Sequence, residues 1–281
     1  MNLPIDISLE KLINKILVHK SQNNDRDYAH FHSSEFYACH RKLVYRYYEA
    51  KGICASSEPS AKFIDPQLQR IFDNGHGVHF RLSKNLEETG ILKGRWKCPS
   101  CLQIFGKKEL LGIHRPQKCD CGGQKFQYQE VGFFDPNILI GGHVDAILDL
   151  RGTEGVPKDA KNEESHILVD FKSIRAEAFK KLIGPKDSHF LQIQIYLHLS
   201  GLRAGKLLYE NKNDQMFREF FVPRDEACIQ KVFTDGQNLK KIVTSTNSKG
   251  LHTLPPRAHK KNNVKECVEC SFRSHCWGLR N

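Results

Sequence analysis

The feature that most restricts the fold is a set of cysteines divided between the two ends of the chain. Cys267, Cys270 and Cys276 have the spacing C-x2-C-x5-C near the C-terminus. Metal sites pair their ligands in two knuckles, so three clustered cysteines want a fourth from elsewhere, and Cys39 is the natural candidate. Such a site closes a loop holding almost the whole chain and strongly restricts the unfolded state. Unrelated free thiols in a tail are a poor account of three cysteines this close together. Phe272 and Trp277 stand where they can shelter the sulfurs from water. A second set, Cys98, Cys101, Cys119 and Cys121, brackets a short internal segment, and Cys54 and Cys228 are left as ordinary semi-buried thiols.

Reading these cysteines as ligands rather than disulfides depends on the compartment. No stretch approaches the roughly 20 apolar residues of a membrane span. The N-terminal MNLPIDISLEKLINKILVHK lacks a basic segment before a continuous apolar core, so no secretory signal is expected. Its Leu9, Leu12, Ile13, Ile16 and Leu17 recur at helical spacing behind Ser8 as N-cap, which describes an amphipathic helix packed on the body. The expected location is intracellular, cytoplasmic or, for a viral chain, the host cytoplasm. Clustered cysteines in a reducing compartment favour metal ligation.

The order of patterns along the chain is helices, an interruption, strands, a helix, strands and a helix. Ser33 or Ser34 caps a helix reaching Ala50 with Cys39 in its first turns, after the polar connector SQNNDRDYAH and before a small-residue loop from Ala55 to Ser60. Asp65-Pro66 starts another helix, to Glu88, with Leu68, Phe72, Gly75, His79, Leu82 and Leu86 on one face. From Lys97 to Gly123 periodicity fails, and CPSC and KCDCGG enclose a metal-held insertion. Its first knuckle is regular; its second has one intervening residue where two are usual. Four thiolates on zinc are expected there, with His114 able to replace one. FQYQEVGFF, ILIGGHVDAILDL and HILVDFKSI then read as strands, the last two joined by a long hairpin connection. HFLQIQIYLHLS reads as a helix stopped by Gly201; two more strands, a charged helix from Arg224 to Val243 and a polar tail from Thr244 to Lys265 follow. This predicts an α/β fold with a mixed central sheet flanked by helices. It divides into an N-terminal helical part (1–96), the zinc-ribbon-like insertion (97–124), the core (125–246) and a cysteine-bearing C-terminal segment (247–281) that packs back on the N-terminal helices.

Side chains alternate along a strand, so Asp170 and Lys172 of HILVDFKSI leave one face together while Phe171 anchors the other. In ILIGGHVDAILDL the same parity sets Asp145 opposite the apolar Val144, Ala146 and Leu148. Where these strands are neighbours, Asp145 and Asp170 converge on one cation. Two carboxylates hold a hard divalent metal, which polarises a phosphoryl oxygen and lowers the pKa of bound water. A lysine beside them orients the water and offsets charge developing on phosphate. A surface Asp–Lys pair is the plainer account of a lone D-x-K. His79 on an apolar helix face is, taken singly, most often a satisfied core histidine. Gln192 and Tyr196 share a helix face at i,i+4 and mean little alone. The basic excess, 43 Lys and Arg against 32 Asp and Glu for a formal charge of +11, favours a polyanionic partner, nucleic acid first and an anionic membrane second.

Together the motifs G-x-x-x-H (Gly75, His79), G-x-x-D (Gly142, Asp145), D-x-K (Asp170, Lys172) and Q-x-x-x-Y (Gln192, Tyr196) resemble the RecB-type PD-(D/E)XK nucleases in order and spacing. The resemblance implies a restriction-endonuclease-like core in which His79, Asp145, Asp170 and the Phe171 carbonyl ligate Mn²⁺ or Mg²⁺. Lys172 is then the catalytic lysine, Gln192 and Tyr196 support the site or the DNA phosphates, and Glu130 is an additional acidic residue. A nitrogen ligand makes Mn²⁺ at least as suitable as Mg²⁺. Cys39 with Cys267, Cys270 and Cys276 resembles the iron–sulfur subgroup, which includes CRISPR-associated exonucleases and the AddB helicase–nuclease subunit. The resemblance runs from about Ser33 to Trp277, and implies a 4Fe–4S cluster where spacing alone allows iron–sulfur or zinc. The insertion is foreign to the CRISPR-associated members and is either a structural staple or a contact for DNA or protein. The expected function is a metal-dependent DNA nuclease, an exonuclease on DNA ends or single strands in repair, recombination or replication, with a helicase or recombination protein as partner. The alternative is a non-catalytic, metal-stabilised nucleic-acid-binding or interaction subunit.

Overall fold

Apolar residues that alternate on strands and recur on helices need two covering layers, and here both faces of the sheet are covered. The computed structural model describes residues 8–22, 26–55, 65–245 and 254–278. The first seven residues, part of the polar connector, most of the small-residue loop and residues 246–253 of the tail lie outside them. Helix α1 (Leu9–Gln22) is followed by β1 (Phe31–His32), a 3-10 turn (Ser33–Glu35), α2 (His40–Ala50) and α3 (Pro66–Glu88). The helix expected from Ser33 begins later: Cys39 is the N-cap of α2 and precedes its first turn. Asp65 caps α3 by accepting from the Leu68 N–H at 3.1 Å, and Pro66 occupies the first turn, where its missing donor costs nothing.

Strands β2 (Leu92–Lys97), β3 (Ile104–Phe105), β4 (Ile113–His114) and β5 (Gln127–Gln129) come next, β3 and β4 inside the insertion and β2 and β5 at its borders. The core follows with β6 (Val131–Asp135), β7 (Ile140–Val144), β8 (Ala146–Asp149), α4 (Asn162–Ser165), β9 (His166–Ile174), α5 (Ala176–Lys180), α6 (Asp187–Ser200), β10 (Ala204–Asn211), β11 (Phe217–Pro223) and α7 (Glu226–Thr244). Short helices α8 (Lys265–Val268) and α9 (Arg273–Trp277) carry the C-terminal cysteines. The main sheet runs β11-β10-β9-β8-β2-β3, with β4 and β5 also on β2, and a smaller sheet runs β1-β7-β6. Only β9–β10 in the main sheet and β1–β7 in the small one are parallel, so both sheets are mixed.

Two segments that read as single strands are each divided between the sheets. FQYQEVGFF breaks at Glu130, with β5 in the main sheet and β6 in the small one. ILIGGHVDAILDL breaks at Asp145, with β7 in the small sheet and β8 in the main one. Because Val131 pairs with Val144, the two single-residue junctions lie side by side. The two-sided burial also alters the expected faces. Ala146, Val169 and Phe171 pack towards α3 with Val78 and Leu82, whereas Ile147, Leu168 and Leu207 pack towards α6 with Ile193 and Leu197. Helix α6 is therefore buried on several faces, Gln192 and Gln194 included, as a helix enclosed by sheet and neighbours should be. A third cluster joins α2 to α7 through Leu43, Val44, Val232 and Leu239. Among the described residues no helix is long and apolar enough to cross a membrane.

Candidate active site

The junction between the sheets gathers the ionisable groups. Asp145, 6% exposed, accepts a hydrogen bond from the Phe171 N–H through Oδ2 at 2.5 Å. Its Oδ1 lies 2.9 Å from His79 Nδ1, which α3 delivers from above with the imidazole edge-on to the Phe171 ring. One ligand atom from each of His79, Glu130 and Asp145 falls within 4.8 Å of the others. Burial pulls the His79 pKa down, but the hydrogen bond with Asp145 and the charges of Asp145 and Asp170 outweigh it and raise it on balance. Glu130 is pushed up to about 7, first by burial and then by the negative charge of Asp145. It reaches solvent, which moderates the shift but not its direction.

Asp170 stands on β9 where the antiparallel register with β8, Ala146 opposite Val169, puts it beside Asp145. It is outside the trio that meets within 4.8 Å, because its Oδ2 is turned to Lys172 Nζ at 2.6 Å. That contact is an ion pair without hydrogen-bond geometry, so charge and not a hydrogen bond compensates the buried oxygen. Burial holds the Asp170 carboxyl up at about 6 in spite of the lysine. Lys172 Nζ also donates to Gln192 Oε1 at 2.9 Å. The Gln192 amide donates to the Tyr196 hydroxyl at 2.9 Å, and that hydroxyl donates to the His143 carbonyl at 2.6 Å. The chain Lys172–Gln192–Tyr196–His143 thus ties the lysine back to β7, one residue short of the strand end that presents Asp145. Phe171 contributes its N–H to Asp145 and its ring to the core; the expected role of its carbonyl stays an expectation.

Gly142 shows why the relay needs a glycine there. A Cβ at that position would lie 2.2 Å from Ser33 Oγ and 3.0 Å from Tyr196 Cε1. Gly75, by contrast, meets only Ser173 Oγ at 3.6 Å, an ordinary contact. Three residues of this region escape a reading of motifs. Ser33 lies against Gly142 from far upstream, with no local signal. Tyr128 donates to the Asp145 carbonyl at 2.9 Å, and its place two residues before Glu130 in a strand is the available hint. Arg95 on β2 lines one cavity with His79, Tyr128 and Glu130.

The two cysteine sets differ in geometry. Sulfurs of Cys98, Cys101, Cys119 and Cys121 all approach within 4.8 Å, despite the single residue between the last two. Backbone amides of Cys101 and Ser100 point at the Cys98 sulfur and hold its pKa down to about 6, which favours a thiolate. His114 is not part of this set; its Nε2 lies 3.1 Å from Asp149 Oδ2. The tetrad can hold a metal ion, as can the His79–Glu130–Asp145 cluster. Cys39, Cys267, Cys270 and Cys276 line one cavity of about 900 Å³ between α2 and the C-terminal segment. They do not close to the 4.8 Å seen in the tetrad. The Cys267 thiol is pushed up by burial and then by the charges of the other three, so the four face a common space. Phe272, 1% exposed, stacks on Tyr45, and Arg257 lies 4.5 Å over the Trp277 ring.

No protein family and no curated protein matches the chain. Among solved structures it is similar to SSO0001, at 16% identity and a TM-score of 0.41, over 84% of this chain and 88% of that one. It is also similar to an alkaline exonuclease (LHK-Exo) from Laribacter hongkongensis, at 11% identity and a TM-score of 0.42, over 82% of this chain and 93% of that one. The same exonuclease in complex with dAMP matches at 12% identity with the same coverage and score. Likenesses this distant assign no activity, and the functional reading rests on the side chains.

Proposed function

We propose that the chain is a divalent-metal-dependent deoxyribonuclease, acting as an exonuclease rather than an endonuclease. The observation that carries this is the meeting of His79, Glu130 and Asp145 within 4.8 Å, beside a buried Asp170 that holds a lysine. Carboxylates crowded this way raise one another's pKa, the electrostatic demand that a divalent cation answers. His79, Asp145 and Glu130 would hold Mn²⁺ or Mg²⁺, with Asp170 joining once Lys172 turns from it. The bound ion would polarise the phosphoryl oxygen and lower the pKa of a coordinated water.

The protein's own groups do the positioning. The Phe171 N–H fixes one carboxylate oxygen of Asp145 and leaves the other to His79 and the ion. Gln192 and Tyr196 limit the travel of Lys172, so its ammonium stays where a phosphate oxygen enters and offsets the charge that grows on it. Asp170 and Lys172 neutralise each other until substrate competes for the lysine. We further propose zinc in the ribbon-like tetrad and a 4Fe–4S cluster in the split quartet, whose four cysteines line one cavity. The activity would belong to DNA repair, recombination or replication.

The test is manganese-dependent digestion of end-labelled single- and double-stranded DNA beside circular controls. Lys172→Ala should abolish cleavage while DNA binding persists. Undiminished cleavage by that variant would sink the mechanism, and binding without any cleavage by the unaltered protein would favour a non-catalytic DNA-processing subunit.

A further inference from the structure

A groove of about 880 Å³ runs from the His79–Glu130 cluster along α3 to the edge of the insertion. One wall is a helical stripe of α3, including His76, Phe80, Ser83 and Lys84. The other is Phe126 and the strand β5, with Arg95 between them. Phe80 directly follows the metal-facing His79, yet it is 76% exposed, the most of any large aromatic among the described residues. A single exposed ring is ordinary on a protein surface; what sets Phe80 apart is its place on the groove wall, one residue after His79. Of the charged side chains lining the groove, Lys84 and Arg95 stand against Glu87 and, at the end nearest the cluster, Glu130. Glu87 is neutralised twice, by Lys84 at 3.0 Å and Arg115 at 2.9 Å. The Arg95 Nε is buried with no hydrogen-bond partner among the described residues. Gln127 and Gln129 of β5 add amides that accept and donate.

From these observations we infer that the groove between α3 and β5 binds single-stranded DNA, with Phe80 as a base-stacking platform next to the scissile phosphate. The inference rests on the nuclease reading and gives it a substrate class. A base offers its π-face to a protein ring only when its neighbours do not cover it. In a duplex both faces of each internal base are stacked, so an exposed phenyl in a groove selects unpaired strands. Stacking tolerates every base, so the preference is for strandedness and not for sequence. The strand that follows the insertion becomes a specificity element: β5, fixed on β2, supplies the wall opposite Phe80. Tyr128 couples that wall to the active site, because its hydroxyl donates to the Asp145 carbonyl while its ring lies close over Gly94, whose added Cβ would sit 2.2 Å from Tyr128 Cε2.

The experiment uses the full chain, without added divalent cation, and measures fluorescence anisotropy with a labelled oligothymidylate of about 16 nucleotides and a blunt duplex of equal length. Phe80→Ala should weaken single-strand binding by about 5- to 160-fold, the range given by the loss of one base–aromatic stack. Duplex binding should change less than about twofold, and Phe80→Trp should restore the single-strand affinity where Phe80→Leu does not. The ring is exposed, so the variants should melt with the parent. Equal losses on both probes, or no loss on either, would overturn the inference. Because the readout is binding, it stands apart from cleavage: a Lys172→Ala protein that still cuts DNA refutes the nuclease reading without touching the Phe80 result.

Discussion

Asp170 is expected to cost the cation-free protein stability, and the cost can be worked from its surroundings. The carboxyl is 2% exposed, and burial holds it at about 6 against an ordinary value of 3.8, even with Lys172 at 2.6 Å. A folded-state value above the unfolded one means that the native protein binds more protons between these limits, so stability falls as pH rises through the window. The rise from 3.8 to about 6 corresponds to a penalty of about 3 kcal/mol, present in full above about pH 6 and absent below about pH 4. Asp170→Asn keeps the shape and cannot ionise. Without added divalent cation it should therefore be more stable than the parent at about pH 8, by up to about 3 kcal/mol, and equal to it near pH 4. For a chain of this size that is roughly 6–12 °C in melting temperature, read by scanning calorimetry at the two pH values. With Mn²⁺ the order should narrow or reverse, because only the carboxylate gains from the ion, and cleavage should be lost in the variant. If the substitution destabilises at the higher pH, or the difference does not change between the two, the reasoning about Asp170 is wrong.

Three further outcomes are expected from the same geometry. Glu130 is pushed up to about 7 and His79 is raised as well, so both must shed protons to ligate; Mn²⁺ affinity should rise with pH through about 7, with proton release visible by calorimetry in buffers of different ionisation enthalpy. Gly142→Ala forces a Cβ against Ser33 Oγ and the Tyr196 ring, which should cost about 1–3 kcal/mol in thermal stability and slow cleavage through the displaced relay, with DNA affinity largely kept. Cys98→Ser should remove one zinc per chain by elemental analysis and raise amide exchange in β3 and β4, while metal content at the split quartet stays unchanged; exchange equal to the parent would make the tetrad unimportant to the insertion.

What is legible in the sequence depends on what periodicity can carry. Parity along HILVDFKSI correctly sends Asp170 and Lys172 to one face, because alternation is a local property of extended backbone. The i,i+4 spacing of Gln192 and Tyr196 likewise yields a direct hydrogen bond at 2.9 Å. The mixed sheet flanked by helices is legible from the order of patterns. Parity does not say which sheet a strand enters, so the breaks at Glu130 and Asp145 are invisible in runs that look continuous. Nor does it say how many faces are covered: Ile147, two residues after Asp145 and so on its side by alternation, is fully buried under α6. The partner that Asp170 takes without a cation, and the approach of Ser33 to Gly142, depend on long-range packing that leaves no local mark.

The placement of Asp145 and Glu130 at single-residue junctions explains how two carboxylates are brought together in a core that disfavours them. A residue inside a strand is constrained by hydrogen bonds on both sides and stands among same-face neighbours, here Ile147 and Leu168, which would leave a carboxylate desolvated. At a junction the strands on either side belong to different sheets, and the space that opens between them is reached by α3 and by solvent from the groove. The flanking residues Val144, Ala146 and Val131 are fully buried, so the backbone at the gap is held rigidly, while Glu130 opens to solvent and the buried Asp145 is met by His79 and the Phe171 N–H. Position is therefore set by the apolar residues on each side, and charge is accommodated by the break between them. Filling the gap so that β7 and β8 run on as one strand would accordingly remove the site even with every acidic residue kept.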